Sequence, residues 1–102
     1  MSKTVKMEDK FITIDTLNML LQKGFNYYHF PTQSIAQKWL RETKNLHISI
    51  IRNDCGYGYD ICKADNGTHI TDGIFKGPND GGQWDTYEEA LEVGIQEALK
   101  LI

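Results

Sequence analysis

Cysteine is scarce in this chain: 102 residues hold two, Cys55 and Cys62, and no CxxC pair. That is too few for a disulfide framework and fits a reducing compartment. Long apolar runs are missing as well. None approaches the ~20 residues needed to span a bilayer, so no membrane contact is expected. The segment 1–10 contains no apolar h-region, so a secretory leader is not expected and the protein is expected in the cytoplasm. Repeats, linkers and low-complexity tracts are absent too, leaving one domain over 1–102 with 1–10 as a loose polar lead-in. There is also no basic excess. Residues 1–45 carry seven Lys/Arg against four Asp/Glu, and residues 46–102 four against ten, for a net charge of −3. An acidic second half argues against broad phosphate binding, because affinity for nucleic acid is built from Lys and Arg.

What is present is ordinary globular composition, 40% hydrophobic and 25% charged, in a chain long enough to bury a core. A helix is predicted over 14–23. Thr13 is its N-cap, Asp15 lies in its first turn, and Ile12 with Leu17 forms a hydrophobic staple. Gly24 and Phe25 supply a Schellman ending, with Phe25 folding back on Leu20. Residues 26–30 are β-prone or extended, and Pro31 ends them. A second helix follows from Thr32 as cap to Lys44, with Ile35, Ala36, Trp39 and Leu40 as its apolar stripe, and Asn45 turns out of it. Alternation predicts strands over 46–52, 57–63 and 68–75, joined by the turn clusters 53–56 and 65–67. The glycine-rich stretch 76–83 reads as a mobile loop. The last helix starts at Asp85 or Thr86, with Glu88 or Glu89 closing a capping box. Its inward stripe includes Gly94, placed for close approach to the sheet or to a large side chain such as Trp39. Glu88, Glu89, Glu92, Gln96 and Lys100 point outward. The expected fold is therefore α+β, a two-layer sandwich of order α-α-β-β-β-α. Its helices pack on one face of a three-stranded antiparallel meander carrying Ile48, Ile50, Tyr57, Tyr59, Ile61, Ile70 and Ile74.

Two segments, PTQSIAQKWLRE at 31–42 and TYEEALE at 86–92 with its tail EALKLI at 97–102, join the helix ending Lys23-Gly24-Phe25 in a further pattern. Together they resemble a group of short uncharacterised proteins of gut bacteria and of their phages and mobile elements. The resemblance covers about two thirds of the chain. It implies a small accessory protein carried on a mobile element, and it brings no activity, cofactor or catalytic residue. Group members often carry a longer insert between the positions of Phe25 and Pro31.

Few constellations carry chemistry. The order of residues 32–101 matches the topology of double-stranded-RNA-binding domains, yet Glu88 and Glu89 stand where such domains place a basic run. Gly56-Tyr57-Gly58 lacks any P-loop or Rossmann context. If Ile48 opposes Ile61 and Ile61 opposes Ile70, the uncovered face carries His47, Cys62 and His69 in one row and Ser49, Asp60 and Thr71 in the next. Imidazole and thiolate suit zinc, but the two histidines lie about 9.5 Å apart by strand spacing, which is wide for one ion, so no metal or cofactor is assigned. A Cys–His nucleophile pair would also need an oxyanion hole and a cleft, which nothing signals.

The expectation is thus a non-catalytic protein that binds another protein, or a second copy of itself as a homodimer. Ile51, Phe75, Tyr57 and Trp84 are the candidate contact residues, and His47, Asp60, Cys62 and His69 the polar candidates on the sheet face. The alternatives are a nucleic-acid module using Lys23, Lys38, Arg41 and Lys44, and a metal site at His47, Cys62 and His69.

Overall fold

The chain runs α1 (Ile14–Gln22), α2 (Gln33–Thr43), β1 (Leu46–Asn53), β2 (Gly56–Lys63), β3 (His69–Asp72) and α3 (Tyr87–Lys100) in the computed structural model, which describes residues 9–26 and 28–102. The fold is α+β in the predicted order, with the three strands in one antiparallel sheet, β1-β2-β3. α3 packs on β1 and β2, α2 on β1, and α1 on α3.

Local chemistry sets the helix ends. The Thr13 hydroxyl accepts from the Thr16 N–H, and Ile12 and Leu17 both join the core. At the other end Phe25 N donates to Leu20 O and Gly24 N to Leu21 O, with Gly24 at φ 99°. This is the Schellman pattern read from the sequence. α3 opens with the capping box of Thr86 and Glu89. Asn45 adopts φ 59° as the chain leaves α2.

The start of α2 is capped from a distance. Thr32 makes no side-chain cap bond of its own. Instead the Asp9 carboxylate accepts from Ser34 N at 3.1 Å, from the Thr32 hydroxyl at 2.8 Å and from the Ser34 hydroxyl. Gln33 N donates to Lys10 O, and Phe11 bridges to Thr32. Residues 9 and 10 are therefore anchored, and the rest of the lead-in, 1–8, lies outside the described residues. Burial pushes the Asp9 carboxyl up, but the hydroxyls of Ser34 and Thr32 and the Ser34 N–H more than offset it and leave the group below 3.8.

Other expectations need correcting. No strand forms between α1 and α2 among the described residues; Asn26 and Tyr28 are exposed, and Tyr27 lies outside them. Ile35 is exposed rather than part of the α2 stripe, whose buried members are Gln33, Ala36 and Leu40. The third strand is shorter than predicted because a bulge interrupts β2–β3 pairing and the chain then turns away at Gly73. A Cβ on Gly73 would fall 2.1 Å from the Tyr59 ring, so only glycine lets the backbone pass there. Residues 76–83 are not a loose loop. Gly77 N donates to Gly82 O and Asn79 N to Gln83 O, while the Asn79 amide donates to Cys55 O and to the Asp85 carboxylate.

The core comprises Leu17, Leu20 and Phe25 near α1, Ala36 and Leu40 from α2, Leu46, Ile48, Tyr59 and Ile61 from the sheet, and Leu91, Ile95, Ala98 and Leu99 from α3. Gly94 faces Ile48 and Tyr59, 3.1–3.2 Å from where its Cβ would be. It permits approach to the sheet, as expected, with Trp39 not among its nearest neighbours. Glu92 and Gln96, read as outward, instead face α1. Glu92 Oε2 accepts from Thr13 N at 3.0 Å, from Thr13 Oγ1 at 3.1 Å and from Thr16 Oγ1, and Gln96 Nε2 donates to Thr16 Oγ1 at 2.9 Å.

Candidate functional site on the open sheet face

The helices cover one face of the sheet and leave the other bare. In the β1–β2 register Ile48 pairs with Ile61 and Ile50 with Tyr59, the pairs turned toward the helices. Alternation then turns His47, Ser49 and Ile51 to the open face, opposite Cys62, Asp60 and Gly58. The predicted pairing of Ile48 with Ile61 is present. The predicted pairing of Ile61 with Ile70 is not: Ile61 opposes Thr71, Asp60 opposes Asp72, and Cys62 opposes His69.

The bulge at Ile70 has a consequence for the site. Residues three apart in a regular strand point to opposite faces. The extra residue returns both His69 and Asp72 to the open face beside Asp60. His69 Nε2 lies 3.0 Å from Asp60 Oδ1 and 3.3 Å from Asp72 Oδ2. Among the described residues these three form the only group of His, Cys, Asp or Glu whose ligand atoms all lie within 4.8 Å of one another. His47 and Cys62 are cross-strand neighbours but do not enter the group. Asp72 was missed because nothing in the residues 68–75 announces a bulge; a plain alternation puts Thr71 where Asp72 stands.

The other end of the open face is apolar. Ile51 opposes Gly58, and a Cβ on Gly58 would meet Ile74 Cα at 3.2 Å and its Cγ1 at 3.5 Å. Ile74 thus crosses the open face over Gly58 instead of lying on the covered face, and Ile70 is exposed in the bulge. Phe75 follows at 80% exposure.

Tyr57 and Trp84 stand elsewhere. Tyr57 packs edge-on against Tyr87 at 6.2 Å, and Arg52 lies 4.7 Å over its ring. Trp84 forms a backbone bridge with Tyr57, and its ring sits 5.8 Å from Tyr59, against the core. Of the four contact candidates, Ile51 is turned to the open face and Phe75 is exposed in the segment just after Ile74, whereas Tyr57 and Trp84 face the helices. Burial first, and then the Glu97 and Asp72 carboxylates, push the Tyr59 phenol up to about 12.

The basic candidates are dispersed. Lys23 Nζ donates to Ile102 O, and Lys44 lies 5.5 Å over the Trp39 ring. Lys38 and Arg41 remain exposed on α2, next to Glu42. No helix among the described residues is long and apolar enough to cross a membrane. Comparison with protein-family models, with curated proteins and with solved structures finds no match for this chain.

Proposed function

We propose that this chain is a small non-catalytic accessory protein that binds a partner protein through its open sheet face. The observation that carries the reading is Phe75, 80% exposed in the segment that leaves the open face at Ile74, where Ile74 crosses over Gly58 opposite Ile51. An apolar side chain so placed offers an anchor, and the carboxylates of Asp60 and Asp72 at the far end select a partner with basic groups beside its apolar contact. The resemblance to short proteins of phages and mobile elements supports the accessory role. A second copy of the chain is the first partner to test, because its own Phe75 supplies the apolar contact that the first copy offers.

The test pairs light scattering over a concentration series with affinity capture from host lysate, for the native chain and for Phe75→Ser. Phe75 is exposed, so its loss leaves the fold intact. Dimerisation or a reproducible protein partner that disappears in Phe75→Ser supports the reading. A monomer at all concentrations with no partner, or a partner that Phe75→Ser retains, overturns it.

A further inference from the structure

We propose that Asp60, His69 and Asp72 form a binding site for a divalent transition-metal ion, with zinc the ion whose donor preferences match. The proposal shares Asp60 and Asp72 with the partner reading but uses none of Ile51, Ile74 and Phe75, the apolar residues that carry it.

Three observations converge. The donor set is mixed, one imidazole nitrogen and two carboxylate oxygens, each a ligand type that zinc accepts. The spacing suits the ion: four donors at 2.0–2.1 Å from zinc in a tetrahedron lie about 3.3–3.4 Å from one another, and the Nε2–Oδ separations here are 3.0 and 3.3 Å. Finally, Asp60 and Asp72 are directly opposite on adjacent strands. Like charges in that position destabilise a sheet. A neutral imidazole has one N–H on Nε2 at most, so it cannot donate along two separate directions to both carboxylates. A divalent cation neutralises both at once.

The site is reachable and held by the sheet. The side chains of His69, Asp60 and Asp72 are 57%, 27% and 40% exposed, so the ion enters from solvent without any rearrangement of the core. Asp60 stands on the central strand, and the bulge fixes His69 and Asp72 on its flank. Three protein donors leave a fourth position for water or for a group from outside the chain. Binding displaces any proton on the imidazole and any on the carboxylates, and no redox step is involved.

The protein is stripped with chelator and titrated with Zn2+ by calorimetry, and with Co2+ by visible absorption as a spectroscopic substitute. One saturable site per chain is expected, with the absorption of a four-coordinate nitrogen–oxygen cobalt centre. His69→Ala and the near-isosteric Asp72→Asn should each weaken Zn2+ binding by about a hundredfold or more, since loss of an outer-shell partner alone costs about 10–100-fold. His47→Ala and Cys62→Ser should bind as the native chain does. Circular dichroism confirms that each variant is folded. Failure of the native chain to bind saturably, retention of affinity by both His69→Ala and Asp72→Asn, or loss of binding in His47→Ala or Cys62→Ser would overturn the assignment.

Discussion

Replacing Glu92 by Gln tests how α1 is held to the rest of the molecule. The carboxylate receives four donors: Thr13 N at 3.0 Å, Thr13 Oγ1 at 3.1 Å and Thr16 Oγ1 on one oxygen, and Gln33 Nε2 at 3.0 Å on the other. Thr16 is fully buried and Gln33 nearly so. An amide in this position keeps one acceptor and turns two N–H donors toward a donor. If its oxygen stays with the threonines, its nitrogen faces Gln33 Nε2; if it flips, its nitrogen faces Thr13 N. Hydrogen bonds to a charged acceptor contribute about 1.5–3 kcal/mol each, and the charge at the α1 N-terminus adds about 0.3–1 kcal/mol. Rotation of the hydroxyls and of the Gln33 amide recovers part of that. The expected net loss is about 2 kcal/mol, or a fall in Tm of about 8–16 °C for a domain of this size. Urea unfolding followed by tryptophan fluorescence and circular dichroism measures it, and an unchanged m-value confirms that the denatured state is unaltered. A cycle with Thr16→Val should show coupling of about 1 kcal/mol or more between the two positions. If Glu92→Gln unfolds within about 0.5 kcal/mol of the native chain, the carboxylate is not what fastens α1.

Two further results are expected. Gly94→Ala gains about 1 kcal/mol of helix propensity but drives a methyl against Ile48 and Tyr59, where overpacking costs about 1–3 kcal/mol; a net loss near 1 kcal/mol is expected by denaturation, and an alanine variant more stable than the native chain would show that α3 does not press on the sheet. The stability–pH curve should fall at both ends for identifiable reasons. Asp9 is held below 3.8 in the folded chain, so its contribution is present above that pH and is lost as pH falls through the folded value; Asp9→Asn should remove this part of the acid limb. Tyr59 is raised from 10.0 to about 12, so its contribution is present below pH 10.0 and is lost as pH rises toward about 12; Tyr59→Phe should flatten that limb in urea midpoints measured against pH.

The helix ends were the most legible features because their signals are local. Thr13, Gly24 and Phe25, Asn45, and Thr86 with Glu89 each act within a few residues of themselves, and each does what its position requires. What failed depended on contacts distant in sequence. Asp9 caps a helix 25 residues further along. Glu92 and Gln96 lie on the polar side of the α3 stripe, which a helical wheel assigns to solvent, and α1 occupies that side with a threonine pair instead of an apolar stripe. Polar residues that bind one another across helices look the same in a sequence as polar residues that bind water. Residues 76–83 read as a mobile loop by composition, yet Asn79 ties them to the β1–β2 turn through Cys55 O.

The candidate site divides along the same line. His47, Asp60, Cys62 and His69 were placed on the open face by strand period alone, and the pairings of His47 with Cys62 and of Cys62 with His69 are present. The grouping within that face was not legible, because it turns on one extra residue. Had Ile70 continued the regular ladder, Asp72 would face the helices and Thr71 would stand across from Asp60. The polar face would then present one carboxylate beside His69 instead of two. Ile70 is exposed on the short edge strand, and the bulged course is held by backbone bonds on either side of it, Lys63 N to Thr68 O and Gly73 N to Tyr59 O. The bulge thus decides what the open face offers: an imidazole set between two carboxylates instead of an isolated Asp60–His69 pair. A cation bound by Asp60, His69 and Asp72 binds the folded, bulged strand and so adds to its stability.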